Sequence, residues 1–176
     1  QGGRRAGDRV HGHRRLGHLA GPDYTSTGFY RRDAFEQAVR EQADATCVTR
    51  LDPSFKLGTD AAEALLASPE RPTAVFAAND HQARAVYRAA GAKGLSVGKD
   101  LAVVGCGDLE FSAHLQPGLA SFDQHPYRIG CEAARLLLAT LETPEEPRGP
   151  RRILIPPTLQ ERHSLCAPAS SRVEDV

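Results

Sequence analysis

The sequence predicts an α/β fold, an open parallel sheet with helices on both faces, and three observations carry that prediction. Thr73–Ala78 reads T-A-V-F-A-A, an apolar run of strand length that stops at Asn79-Asp80, where a helical pattern begins. Leu101–Val104 reads L-A-V-V and stops as sharply at Gly105-Cys106-Gly107-Asp108. Helical segments separate the apolar runs, and strands without a polar face alternating with helices belong to parallel sheets buried on both sides. Right-handed crossovers then bring successive strand ends to one edge, where open α/β sheets bind ligands.

Each element has a local reason. After Arg14 the run L-G-H-L-A-G is a strand ended by the turn Gly21-Pro22-Asp23. Ser26 or Thr27 can cap a helix reaching about Glu41, with Phe35, Ala38 and Val39 on one face. Thr46–Leu51 is a short strand broken by Asp52-Pro53-Ser54, and a helix over about Lys56–Ala67 carries Leu57, Ala61, Ala64 and Leu65 on one side. After the strand at 73–78 comes a helix over about 80–90, with Ala83, Val86, Tyr87 and Ala90 at core spacing, then the strand at 101–104. A helical turn at Phe111–Leu115, a strand near Leu119–Phe122 and a helix over about Tyr127–Leu141 follow. Arg152–Ile155 is the last expected strand, ended by Pro156-Pro157, and Ala167–Val176 is expected to be disordered.

Composition narrows the function. In 176 residues Lys plus Arg and Asp plus Glu each total 22, so no global basic field argues for nucleic acid. Arginines at 4, 5, 9, 14 and 15 cluster in a Gly/Arg-rich start that reads as a frayed, solvated end. The chain opens at Gln1 and contains no Met, as a processed or truncated product would. It has no apolar run of membrane-spanning length and no visible signal peptide. Cys47, Cys106, Cys131 and Cys166 lack C-x-x-C spacing and are expected as buried, reduced thiols of a cytoplasmic protein.

Motifs that suggest chemistry have simpler explanations. Gly94-Leu95-Ser96-Val97-Gly98 spells a hydrolase nucleophile elbow, but an elbow needs a strand before the serine and a helix after it, the reverse of the order here. Gly105-x-Gly107 follows a strand as a dinucleotide loop does, yet Glu110 stands where the third glycine belongs, so no cofactor is expected. His11, His13 and His18 lack the Cys, Asp or Glu that would complete a metal site, and solvated or capping roles are expected for them. Asp80 is a good helix cap by itself. Asn79-Asp80 together with Asp108 on the neighbouring strand end concentrate hydrogen-bonding groups on one rim without a catalytic partner, a pattern suited to binding a polar ligand.

With these residues in view the chain resembles the effector-binding domain of LacI/GalR family transcriptional regulators. The resemblance rests on G-H-R-R-L-G-H-L-A-G-P at 12–22, S-T-x-x-x-R at 26–31, R-P-T-A-V-F-A-A-N-D at 71–80, G-L-S-V-G-K-D-L-A-V-V-G at 94–105 and L-A-S-F-D-Q at 119–124. R-R-I-L-I-P-P-T-L-Q-E-R-H-S at 151–164 is similar to the regulators' last strand.

The resemblance implies a periplasmic-binding-protein type I fold in which two Rossmann-like lobes close over a small effector, commonly a sugar or nucleobase derivative, and so alter DNA binding by a helix-turn-helix. Residues 12–125 correspond to the second lobe, 126–150 to a crossover helix belonging to a first lobe that is mostly missing here, 151–166 to a returning strand and 167–176 to a tail, while 1–11 are the frayed start. A homodimer is implied, with contacts from the helix at 80–90 and from 109–117, including Tyr87 and Leu115. DNA would be reached only through a headpiece absent from this chain, and no membrane, metal, cofactor or catalytic residue is implied.

Carried over residue by residue, the ligand contacts are Arg31, Asn79 and Gln124, with Asp80 and Asp108 nearby. Arg31 offers a planar fork of donors, and Asn79 both donates and accepts. The chain departs from the family at Gly107, where a first carboxylate is usual, and at Pro53 and Pro126, where aromatics often stack on the ligand; Phe55 and Tyr127 lie close by. The alternative reading is a periplasmic sugar-binding protein serving a transporter. Ile129, Ala133, Leu136, Leu137 and Leu141 form a face meant to pack on something, and each large apolar side chain left in water forfeits about 1.5–3 kcal/mol. Net domain stability is only about 5–15 kcal/mol, so this stretch alone is expected to be marginal or to self-associate.

Overall fold

A computed structural model of the chain describes residues 12–42, 45–51, 58–142 and 151–168. The element order is β1 (Arg15–Ala20), α1 (Ser26–Arg40), β2 (Thr46–Leu51), α2 (Thr59–Leu65), β3 (Ala74–Ala77), α3 (Asp80–Ala92), β4 (Ala102–Cys106), a 3₁₀ turn (Glu110–His114), β5 (Ala120–Asp123), α4 (Pro126–Glu142) and β6 (Thr158–Gln160). One sheet runs β2-β1-β3-β4-β5-β6, with every pairing parallel except the antiparallel β5–β6.

The two faces of the sheet are covered unequally. Val75, Val103, Leu19 and Leu119 point into one core with Ala62 and Leu65 of α2 and Ala83, Val86 and Ala90 of α3. On the other face α1 lies over β1 and β2, where Phe35 meets His18 and Phe76. Beyond α1 the side chains of Phe76, Val104 and Phe122, with Arg31, Ala34 and Phe35, line an open apolar hollow of about 450 Å³.

Several expected boundaries and faces shift for physical reasons. Thr25, not Ser26 or Thr27, caps α1: its backbone is extended and its Oγ1 accepts the Gly28 N–H at 3.1 Å. Because α1 covers only one edge of the sheet its buried stripe is narrow, and Ala38 is exposed beside buried Val39. In α2 the buried positions are Ala62 and Leu65, with Leu66 just beyond, whereas Ala64 faces solvent.

The strand expected at Arg152–Ile155 does not form. Those residues lack a ladder partner among the described residues, and the chain joins the sheet only after Pro156-Pro157, where Thr158–Gln160 pairs with β5. The tail is ordered further than expected, since Pro168 is buried and lies over Gly12. The frayed start at 1–11, the Asp52-Pro53-Ser54 break, Lys56 and Leu57, residues 143–150 and the tail at 169–176 lie outside the described residues.

His13 and His18 are buried, not solvated. His13 Nε2 lies 2.8 Å from the Cys166 carbonyl oxygen and its Nδ1 2.8 Å from Thr73 Oγ1. His18 stacks on Phe76 and bonds the Phe76 carbonyl through Nδ1 at 2.9 Å. No cluster of His, Cys, Asp and Glu among the described residues could hold a metal ion, and no described helix is long and apolar enough to cross a membrane. All four cysteines are free thiols, but only Cys106 and Cys166 are buried; Cys47 and Cys131, expected to be buried, are partly exposed because β2 is an edge strand and α4 has no fully buried side chain among the described residues.

Candidate ligand-binding site

The C-terminal ends of β1, β3, β4 and β5 meet at one rim, and α1 sends Arg31 across it. Arg31 Nη1 donates to the Ala78 carbonyl at 2.7 Å and Nη2 to Gln124 Oε1 at 2.9 Å, so one guanidinium spans the ends of β3 and β5. Both acceptors are neutral, and no carboxylate of the described residues forms an ion pair with Arg31. Among the described residues the positive charge is therefore positioned without a carboxylate partner, which suits it to a hydroxyl-rich or anionic solute.

Asn79 follows the carbonyl that Arg31 holds. It is the N-cap of α3, its Oδ1 accepting the Gln82 N–H at 2.9 Å, which leaves its amide nitrogen as the outward donor. The Gln82 amide donates in turn to the Ala20 carbonyl at the end of β1, tying the cap to the neighbouring strand.

Asp80 has a different role from the one expected. It is fully buried: Oδ2 accepts from the Leu109 N–H and Ser112 Oγ, both at 2.7 Å, and Oδ1 accepts from Ser121 Oγ at 2.6 Å. Three donors from the 3₁₀ turn and β5 thus converge on a carboxylate at the N-terminus of α3, where negative charge is favoured. Those bonds use the carboxylate to hold the rim together, so it does not face a solute. Glycine at 105 is required by this packing, because a β-carbon there would overlap Asp80 Oδ1.

Asp108 stands at the rim in a left-handed backbone conformation, φ 47°, with its N–H donating to Ser121 Oγ at 3.0 Å. Its Oδ1 lies 2.7 Å from Arg162 Nη1 as an ion pair outside hydrogen-bond geometry, while that nitrogen donates its hydrogen bond to the Leu119 carbonyl at 2.7 Å. Ser121 therefore links Asp80 and Asp108, while Arg31 links Gln124 and the Asn79 strand end. Sequence reasoning missed Arg162, Ser112 and Ser121. Arg162 sits after β6 in a charged run, where nothing in its spacing distinguishes it from a solvated residue.

Cys106, the last residue of β4, is buried beside Gly107. Burial pushes its thiol upward, with the Arg31 charge opposing and the Asp80 charge adding, so the neutral thiol is the stable form. Ser96 lies in an exposed loop with its own N–H held by Asp100 Oδ2 at 2.9 Å, consistent with the connecting-loop expectation. Of the departures noted in the sequence, Pro126 starts α4 with exposed Tyr127 beside it, and Pro53 and Phe55 lie outside the described residues.

Comparison with known proteins agrees with this architecture. The profile of the periplasmic binding protein-like domain matches residues 9–165. The transcriptional repressor CytR of Escherichia coli K12 is 34% identical over 134 residues, covering 74% of this chain and 39% of that protein. The transcriptional regulator CelR of Thermobifida fusca is 35% identical over 170 residues, covering 93% of this chain and 49% of that protein. Among solved structures, a LacI family transcriptional regulator from Bifidobacterium animalis subsp. lactis superposes with a TM-score of 0.76 at 28% identity, over 90% of this chain and 57% of that one. A dimeric Lac repressor with a C-terminal deletion gives 0.77 at 26% identity, over 89% and 57%. The chain thus spans less than half the length of these two curated relatives.

Proposed function

Because the chain belongs to the periplasmic binding protein-like domain family as found in LacI/GalR transcriptional regulators, we propose that it is the ligand-sensing part of such a regulator and binds a small polar effector, a sugar or sugar-bearing molecule, without transforming it. Effector free energy is spent on closing the site, and closure alters how a dimer in the cytoplasm presents a helix-turn-helix to DNA, a coupling between two separate sites. The helix-turn-helix lies outside this sequence.

The observation that carries the reading is the Arg31 guanidinium stretched between Ala78 O and Gln124 Oε1, with no carboxylate of the described residues paired to it. Asn79 adds a donor on one side, and Asp108, held by Arg162, an acceptor on the other. A polyhydroxylated solute needs that alternation of donors and acceptors. The expected dimer contacts are kept in the proposal with one adjustment: Tyr87 and Leu115 pack partly against the core, and Tyr87 donates its hydroxyl to the Pro117 carbonyl at 2.9 Å.

The test is a thermal-shift screen of monosaccharides, cellobiose, nucleosides and purine bases. The proposal expects at least one hit, lost when Arg31→Ala and Asn79→Ala are combined. A hit that survives the double substitution contradicts the site.

A further inference from the structure

The chain leaves the sheet after Asp123 at the end of β5 and rejoins it at Thr158 at the start of β6, where the two residues face each other in register. Within that excursion no described side chain of α4 is fully buried, and Ile129, Ala133 and Leu136 line an open hollow with Arg151–Ile155 of the returning leg. The two legs also meet at the edge of the sheet, where His125 bridges Asp123 and Thr158.

The His125 N–H donates to Asp123 Oδ1 at 2.7 Å, and its ring Nδ1 lies 3.0 Å from Asp123 Oδ2 on the outgoing leg. Ring Nε2 lies 2.8 Å from Thr158 Oγ1 on the returning leg. The His125 carbonyl accepts the Ile129 N–H at 3.0 Å, the opening bond of α4. The backbone is left-handed at φ 54°, uncommon for a non-glycine residue and kept where surrounding bonds over-determine it. A single side chain therefore bridges both legs while its backbone starts the helix, and Gln124 is held between two fixed neighbours.

We propose that His125 is a positioning residue, a latch that locks the direction of α4 to the β5–β6 pair and fixes Gln124 for its bond with Arg31. The mechanical part stands on the geometry alone; the consequence for a bound solute rests on the function proposed above. Both ring nitrogens are engaged, so a residue able to make only one contact cannot replace it.

Residual dipolar couplings of the backbone amides in the ligand-free full chain test the latch directly, because they report the orientation of α4 relative to the sheet. In the wild type one alignment tensor is expected to fit both. In His125→Ala the α4 couplings fall towards zero while those of β1, β3 and β4 keep their values. Thr158→Val, which removes only the far contact, produces the same loss, and the double variant loses no more than the greater single loss. His125→Asn separates ring from backbone, since Asn tolerates the left-handed conformation but does not reach both legs; it is expected to behave as Ala does. Retention of the wild-type couplings in His125→Ala or Thr158→Val, or their rescue by Asn, overturns the latch. Because no effector enters this measurement, a failed ligand screen and a failed latch are separate results.

Discussion

The Asp80 carboxylate lies directly over the Cα of Gly105, leaving no room for a side chain between α3 and β4. The contact joins the buried bonding centre of the rim to the strand beneath it. Gly105→Ala must push Asp80 off the Ser121 hydroxyl or bend β4, so it is expected to lower stability by about 1–3 kcal/mol. Urea unfolding checks this, and an unchanged midpoint would show that Asp80 is less fixed than its three bonds imply.

Asp108 and Arg162 form a pair that is mostly, not fully, withdrawn from water, with exposures of 20% and 22%. Removing the guanidinium also frees the Leu119 carbonyl. Arg162→Ala is expected to cost about 1–3 kcal/mol, discounted towards the lower end by the remaining solvent screening. Solvent denaturation of Arg162→Ala beside Arg162→Lys measures it. A Lys variant as stable as the wild type would mean that the guanidinium's bond to the Leu119 carbonyl contributes nothing beyond its charge.

Acid should destabilise the fold through its buried imidazoles. Burial holds His13 and His18 below the ordinary value of 6.5, more than their bonds to the Cys166 and Phe76 carbonyls raise them. In the window between that lowered value and 6.5 the unfolded chain binds more protons than the folded one, so stability rises with pH. Melting temperature is therefore expected to be insensitive to these groups above 6.5 and to fall as pH drops below it. His18→Phe keeps a ring against Phe76 and removes one titrating site; its acid decline should be shallower. An identical decline in the variant would remove His18 from the account.

The face of α4 leaves large apolar groups in water, with Leu137 60% and Leu141 66% exposed. Replacing both by Lys removes apolar surface that is mostly in water, so stability should change by less than about 0.5 kcal/mol while binding of a hydrophobic dye and concentration-dependent association both decrease. Collapse of the fold on this double substitution would show that the face is already packed.

Much of this architecture was legible because the apolar runs at 73–78 and 101–104 and their polar stops are local features, set by the period of a strand and by helix caps. Arg31, Asn79 and Gln124 came from a family resemblance, and the structure gathers Arg31 and Gln124 into one hydrogen bond with the Asn79 strand end beside them. Asp80 was misjudged because a buried carboxylate and a ligand-facing one look the same in sequence; only the convergence of Leu109, Ser112 and Ser121 separates them. The final strand was misplaced because I-L-I at 153–155 has the stronger β propensity, while pairing is decided by which residues reach the free edge of β5, and those are Thr158–Gln160. The burial of His13 and His18 was hidden likewise, since both depend on partners distant in sequence.

The most direct test of the central claim is calorimetric titration of the strongest hit from the sugar and nucleoside screen into the wild type, Arg31→Lys and Arg31→Ala. Losing a charged hydrogen bond costs about 1.5–3 kcal/mol, so Arg31→Ala should weaken binding by roughly 10- to 100-fold. Arg31→Lys keeps the charge but not the fork that spans Ala78 and Gln124, and should fall close to the Ala variant. Equal affinity in all three proteins would contradict the claim that this guanidinium reads the effector.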